Sequence, residues 1–398
     1  MRIATAQSYA TTLESLQSRQ SALTSSQEQM TTGKRVNRAG DDPAAAARAE
    51  RALASERRSV ASQRAVDASN NAMTLTESAL GDADSLLQRA RELMVSAGNP
   101  TYSDAERAGV GNQLADLRSQ LLAVANRSDG AGSFLFGGQG ASQAPFTDVP
   151  GGVQFQGAAG TTQAASTDAL PLAVDGKSSW LQARTGNGVF TTQAVTSTGS
   201  AWIGTGTVTN PAAITGATYD IQFTVGGAGT TYSVLKNGLP TALTAMSFTP
   251  GQAVQIDGMS TTISGAPANG DSFRLAPSTA SLSVFDALDK AVSDLKTPNR
   301  SDAQMAQSNV INLNNIDTTM NQLISARSQI GATMNRIDSV TERLSASKLS
   351  SQTERTNAED LDMTQAISDF SNQQTGYDAA LKAYSMVQRL SLFNYLNV

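Results

Sequence analysis

Five residues at strict seven-residue spacing, Ile316, Leu323, Ile330, Ile337 and Leu344, constrain this chain more than any other feature in it, with Met320 and Met334 set between them. An apolar residue at every seventh position keeps one face of an α-helix turned toward a partner helix. The run therefore predicts a long helix in a coiled-coil-like bundle. Similar stripes mark both ends of the chain. Tyr9, Leu16, Leu23 and Met30 recur at sevens with Leu13 beside them; Met363, Phe370, Tyr377 and Tyr384 do the same, with Ile367 and Leu381 four positions after two of them. Leu344 and Met363 are nineteen residues apart, which is not a multiple of seven, so the phase slips and a joint is expected there.

The bundle partner is expected in residues 43 to 127. Thr31 to Gly40 interrupts the first stripe with two glycines and an asparagine, and Asp41-Asp42-Pro43 restarts a helix: Asp42 as N-cap acceptor, Pro43 at a position where its missing donor costs nothing. From Pro43 to Ala97 only Gly81 interrupts a helical composition, which would span about 80 Å at 1.5 Å per residue. Gly98-Asn99-Pro100 ends it, and Ser103 with Glu106 forms a capping box that opens a helix to about Arg127. Further on, helix restarts are expected at Ser283 to Asp286 and, with a second capping-box pattern, at Ser301 to Gln304.

Between Phe134 and Ala280 the composition changes. This stretch holds 22 of the 32 glycines and 8 of the 11 prolines but only 10 of the 63 charged residues, so it cannot continue the charged helices. Tyr219, Ile221, Phe223 and Val225 alternate, as do Tyr232 and Val234, Val254 and Ile256, and Phe273 and Leu275. Period-two alternation broken by Val225 to Gly229 and by Asn237-Gly238 argues antiparallel hairpins. Trp180 and Trp202 are expected in the core of this sheet. The fold class is therefore α+β and multidomain: a long antiparallel helical rod built from both termini, with an antiparallel β domain inserted. The expected divisions are 1–42, 43–133, 134–280, 281–355 and 356–398.

The chain contains no cysteine and no histidine, which removes thiolate nucleophiles, disulfides, Cys/His zinc sites and imidazole acid/base catalysis. A net charge of −5 argues against general nucleic-acid binding. The first residues lack the apolar core of a cleaved secretory signal, and no run is long and apolar enough to span a membrane, so export would need another route. Ser345 to Lys348 has the spacing of a Ser/Lys nucleophile but none of its companion motifs. The glycine-rich Gly137 to Gly140 and Gly204 to Gly206 lack the context of a phosphate cradle. Arg57-Arg58 and Lys34-Arg35 with Arg38 read as solvated or inter-subunit faces. Asp148, Asp168, Asp175, Asp220, Asp257 and Asp271 are scattered without ligand spacing, so no metal, cofactor or enzymatic activity is expected.

The terminal stripes weigh differently. A hairpin of two helices is marginal in water, and pairing Leu13, Leu16, Leu23 and Met30 with Met363, Ile367, Phe370, Tyr377, Leu381 and Tyr384 still leaves Leu390, Leu392, Phe393, Tyr395 and Leu396 to bury. These fifteen residues form the expected assembly interface.

Several segments carry a resemblance to a known family. Met30 to Ala44 resembles the N-terminal flagellin signature, and Leu86 to Leu93 the segment that follows it. Ala326 to Gly331 and the ending Leu390 to Leu396 are similar to the hook-associated members of this flagellin-like family, and Gly265 to Phe273 resembles a phrase frequent among them. The resemblance implies a structural protein exported unfolded through the flagellar type III channel and assembled outside the bacterial cell at the hook-filament junction. It implies self-association in a helical ring, contact with the other hook-associated junction protein and with flagellin, and an export chaperone on the C-terminal helix. No nucleic-acid or membrane partner is implied. Flagellin itself is the alternative within the family; an enzyme or adhesin housed in the β domain is the alternative outside it.

Overall fold

The computed structural model describes residues 2–396 apart from 142, 165, 167 and 228, with the side chains of 2–6, 8 and 387–396 also outside the described set. Among the described residues the chain forms seven α-helices: α1 Arg2–Thr32, α2 Pro43–Ala97, α3 Asp104–Ala125, α4 Gly176–Trp180, α5 Val284–Lys296, α6 Asp302–Glu359 and α7 Met363–Leu396. It divides into two compact units, Met1–Arg64 with Val340–Val398 and Ala65–Ser339. Both limits fall inside helices, so they are divisions of packing rather than breaks in the backbone.

The larger unit carries the strongest seam. Met73, Leu80, Leu87 and Met94 of α2 recur at sevens, and all are buried, as are Ile316, Leu323, Ile330 and Ile337 of α6. Cross-links fix the antiparallel direction: Arg91 Nε lies 2.6 Å from Asp317, and Arg327 Nε donates to Glu77 at 2.7 Å. α3 packs on α5. It opens on the expected capping box, Ser103 with Glu106, and ends at Ala125, two residues short of the expected limit, with Asn126 as C-cap. The Asn126 side chain is committed elsewhere, exchanging hydrogen bonds with the backbone of Phe146 at 2.8 and 2.9 Å. The second capping box also forms: the Gln304 side chain accepts from Ser301 N–H, and Gln304 N–H donates to the Ser301 hydroxyl.

The inserted β domain is antiparallel throughout its main sheets. In the larger sheet, strand Tyr219–Gly226 lies between Gly229–Lys236 and Ser272–Pro277, and Phe190–Thr196 pairs with the outer side of Ser272–Pro277. In the second sheet, Met259–Ser264 pairs with Ala253–Ile256 and with Trp202–Ile203. Their inward faces share one core that includes Ile221, Phe223, Val234, Val254, Ile256, Ile263, Phe273 and Leu275. The expected alternation is thus realised, except that Val225 at the hairpin end is exposed. Asn237 and Gly238 both have positive φ (50° and 81°), the conformation that a two-residue hairpin turn requires. Gln307 of α6 reaches into this domain, accepting from Ile203 N–H at 2.8 Å and donating to its carbonyl at 3.1 Å.

The tryptophans depart from expectation. Trp180 is fully buried, but outside the sheet core: it stacks on Phe285 of α5 with centroids 5.9 Å apart and meets Phe136 edge-on at 5.3 Å. Trp202 is only half-buried, at a sheet end. A short helix, α4, carries Trp180 away from the strands and against α5, a placement that local composition does not encode.

Candidate assembly surface

In the smaller unit, the chain leaves and re-enters helix twice at one level. α1 ends at Thr32, and Gly33 follows with φ 69°, the left-handed geometry that closes many helices. α6 ends at Glu359, and Asp362 caps α7 by accepting from the N–H groups of Thr364 and Gln365 at 3.0 and 3.1 Å. This is the joint that the phase slip predicted. The two breaks are tied together: Lys34 pairs with Asp360 as an antiparallel bridge, Arg35 N–H donates to the Glu359 carbonyl at 2.7 Å, and Leu361 N–H donates to the Gly33 carbonyl at 3.0 Å.

Charges secure the same place. Lys34 contacts Glu359 at 3.2 Å, Arg35 contacts Asp42 at 3.2 Å and also donates to the Ala358 carbonyl at 2.9 Å, and Arg38 contacts Glu28 at 3.0 Å. Asp42 is the N-cap of α2, accepting from Ala45 and Ala44 N–H at 3.0 and 3.1 Å. The Ala45 backbone bond, with help from Arg35, holds its carboxyl below the ordinary aspartate value. Asp41 folds the preceding turn by accepting from the N–H groups of Asn37 and Arg38. Both members of the carboxylate pair thus serve as backbone acceptors, and Lys34 and Arg35 are anchors of the joint.

Beyond the joint, α1 and α7 pack antiparallel. Tyr9 meets Tyr384 edge to face at 6.2 Å, and Ser26 donates to Gln373 at 2.9 Å. Gly376 lies so close to α1 that a Cβ there would stand 2.9 Å from the Arg19 guanidinium. Leu16 is buried; Tyr9, Leu23, Met30, Phe370, Tyr377 and Tyr384 are half-buried. Leu13, Met363, Ile367 and Leu381 are exposed, Ile367 by 54%, so the pairing covers only part of the stripe. The side chains of Leu390, Leu392, Phe393, Tyr395 and Leu396 lie outside the described residues.

Between α2 and α6 in this unit the seam is thin. The seven-residue spacing continues, but its members are Ala45, Ala52 and Ser59 on one helix and Ser351 and Ala358 on the other, all buried. Gln352 and Arg355 reach Glu56 at 2.8 and 3.2 Å. Alanines and serines at sevens do not stand out in an alanine-rich stretch, so this part of the α2 seam carries only its period as a sequence signal.

The β-domain aspartates are occupied. Asp148 receives both terminal nitrogens of Arg118 at 2.5 and 2.8 Å, Asp220 faces Arg274 at 2.6 Å, and Asp257 accepts from Lys236 at 2.7 Å and the Tyr219 hydroxyl at 2.6 Å. Asp175 caps α4, and Asp168 also has a partner. Asp271 is fully buried and accepts four hydrogen bonds: from Thr198 N–H and hydroxyl at 2.7 and 2.9 Å, Gly199 N–H at 3.1 Å and Ala268 N–H at 2.8 Å. Burial pushes its carboxyl up, but these donors outweigh it and leave it below the ordinary value. Among the described residues no group of three or more His, Cys, Asp or Glu side chains could hold a metal ion, and no helix is long and apolar enough to cross a membrane.

A helix pair with a partly uncovered apolar stripe, a pinned joint and an inserted β domain together define a structural protein built to pack against other chains. The bacterial flagellin N-terminal helical region matches residues 3–141, and the bacterial flagellin C-terminal helical region matches residues 313–396. The chain belongs to the flagellin family of structural flagellar proteins.

Within that family its relatives are hook-associated proteins. The chain is 24% identical over 311 residues to flagellar hook-associated protein 3 of Escherichia coli (strain K12), covering 77% of this chain and 72% of that one. Its fold is similar to the crystal structure of flagellar hook-associated protein 3 from Legionella pneumophila, with a TM-score of 0.71, 26% identity and coverage of 77% and 96%. It is equally similar to the crystal structure of FlgL from Xanthomonas campestris, with a TM-score of 0.69, 27% identity and coverage of 77% and 99%.

Proposed function

We propose that this protein is a non-enzymatic junction adaptor, assembled outside the cell between the hook and the flagellin filament. One observation carries the reading: the α1/α7 pair holds together yet leaves Leu13, Met363, Ile367 and Leu381 exposed, a stripe that an isolated chain gains nothing by displaying. Stability of these ends then comes from neighbours, and folding is coupled to assembly. The fifteen stripe and tail residues named above form the contact. Its partners are further copies of the chain in a ring, the other hook-associated junction protein on one side and flagellin on the other. A cytoplasmic chaperone holds α7 before export. In this reading residues 1–42 and 356–398 line the inner tube, residues 43–133 and 281–355 surround them, and residues 134–280 face outward. The structural duties of the β-domain aspartates support a role without chemistry.

Removing residues 356–398 tests this. The truncated chain is expected to keep a folded β domain and to fail to attach filaments to hooks; attachment by the truncated chain would refute the reading. An antibody to the β domain separates an adaptor, which gives one band at the hook boundary, from a filament subunit, which labels the whole length.

A further inference from the structure

Trp202 lies half-buried at the end of its strand and lines a cleft of about 340 Å³ inside the larger unit. The other walls are the C-terminal end of α2, Arg107 of α3 and the first two turns of α6. Groups on these walls are uncommitted. Asp302 is exposed, and its carboxylate has no ion pair or hydrogen bond among the described residues. The Asn309 amide has no hydrogen bond among the described residues either; its Oδ1 is buried, so Nδ2 is the end that it offers to the cleft. A Cβ at Gly98 would stand 2.5 Å from that nitrogen, so the glycine makes the room in which the amide lies over the end of α2. Trp202 adds an aromatic surface that the sheet leaves partly uncovered, and Met305 and Ala306 add apolar wall.

We propose that this cleft binds the ring of a neutral sugar. A pyranose has a C–H face that packs on an aromatic ring and a rim of hydroxyls that both donate and accept. Trp202 matches the face; the Asp302 carboxylate and the Asn309 Nδ2 match the rim as acceptor and donor. The volume lies in the range of small-molecule sites. Charge argues against an ion. Arg107 and Asp302 are the charged residues on the walls, so an anion meets the carboxylate and a cation meets the guanidinium. That guanidinium is itself held by the Tyr102 carbonyl and, at 2.6 Å, by Asp104, which makes it part of the wall. A single aromatic side chain is also no cage for a quaternary ammonium. None of these residues belongs to the stripe of α1 and α7, so sugar binding is a function beside the adaptor reading and does not depend on it.

The probes are D-glucose, D-galactose, D-mannose and N-acetyl-D-glucosamine, each as the free sugar and as its methyl glycoside, added to the full-length chain. At least one is expected to receive saturation transfer from the protein by NMR and to change the tryptophan emission at millimolar concentration. The emission change should vanish in Trp202→Phe, because the remaining Trp180 is fully buried against Phe285. Asp302→Ala, at an exposed position, and Gly98→Ala, which displaces the Asn309 amide, should each raise the dissociation constant about tenfold. A methyl glycoside that binds as well as its parent identifies the ligand as the end of a glycan; a free sugar that binds alone identifies an unattached sugar. Either result upholds the site. No transfer to any probe, transfer undiminished in Trp202→Ala with Asp302→Ala, or tetramethylammonium bound in preference to every sugar would overturn it.

Discussion

Lys34 and Asp360 form a single antiparallel bridge across the joint, where the segments 33–42 and 360–362 are both out of helix. Each break therefore braces the other, and the α1/α7 pair is joined to the α2/α6 pair by two tied strands rather than by two loose links. Gly33 supplies the accepting carbonyl for one of these ties from a left-handed backbone. No atom lies near the space that a Cβ at Gly33 would fill, so a substitution there is opposed by backbone conformation alone. Gly33→Ala is expected to cost about 1 kcal/mol. Amide exchange at Leu361, whose N–H donates to Gly33, should accelerate while the β domain is unchanged; unaltered exchange would remove the joint's dependence on this residue.

Ile367 separates folding from assembly. Its side chain is more than half exposed in the single chain, so Ile367→Asp is expected to change the unfolding free energy by no more than about 0.5 kcal/mol. The same variant should fail to attach filaments. A variant that attaches them normally would show that this part of the stripe meets nothing.

Asp271 ties the loop before strand Ser272–Pro277 to the turn at Thr198 and Gly199. Asp271→Ala leaves its buried donors without an acceptor, and a loss of about 1–3 kcal/mol from the β domain is expected by urea unfolding. The native carboxylate also predicts a pH response. Its folded-state value lies below the unfolded one, so its contribution is whole above the ordinary carboxylate range and disappears as pH falls through the lowered folded value. The variant should lose the part of the acid sensitivity that this group supplies.

Phe285 is the plate on which Trp180 stacks, and it also meets Phe146 at 6.0 Å. Phe285→Ala empties a fully buried site, for which about 3–5 kcal/mol is expected. The fluorescence of Trp180 should shift to the red. Trp202, in a separate part of the domain, should be unchanged, which a second variant with Trp202→Phe would establish.

Local chemistry was readable wherever it was contained in a few neighbouring residues. The caps at Asp42, Ser103 and Ser301, the turn at Asn237-Gly238 and the burial of Ile316 to Ile337 follow from spacing and residue type alone. The terminal stripes were readable as stripes, but their pattern could not say which members α1 and α7 would cover; Leu16 and Leu13 differ by three positions and by the side of the helix that the partner occupies. What stayed hidden depends on residues far apart in the chain. The four donors on Asp271 converge from 198–199 and 268, Trp180 finds Phe285 across more than a hundred residues, and Gly33 meets Leu361 from opposite ends.

The thin seam between Pro43–Arg64 and Val340–Glu359 has one more consequence. Leucines interlock and resist sliding, whereas Ala45, Ala52 and Ser59 facing Ser351 and Ala358 present nearly smooth surfaces. The specific ties along this stretch are polar ones, chiefly Glu56 to Gln352 and Arg355. A seam of such small side chains buries little apolar area, so this stretch contributes less to holding the two helices together than the Met, Leu and Ile seam of Ala65–Ser339 does.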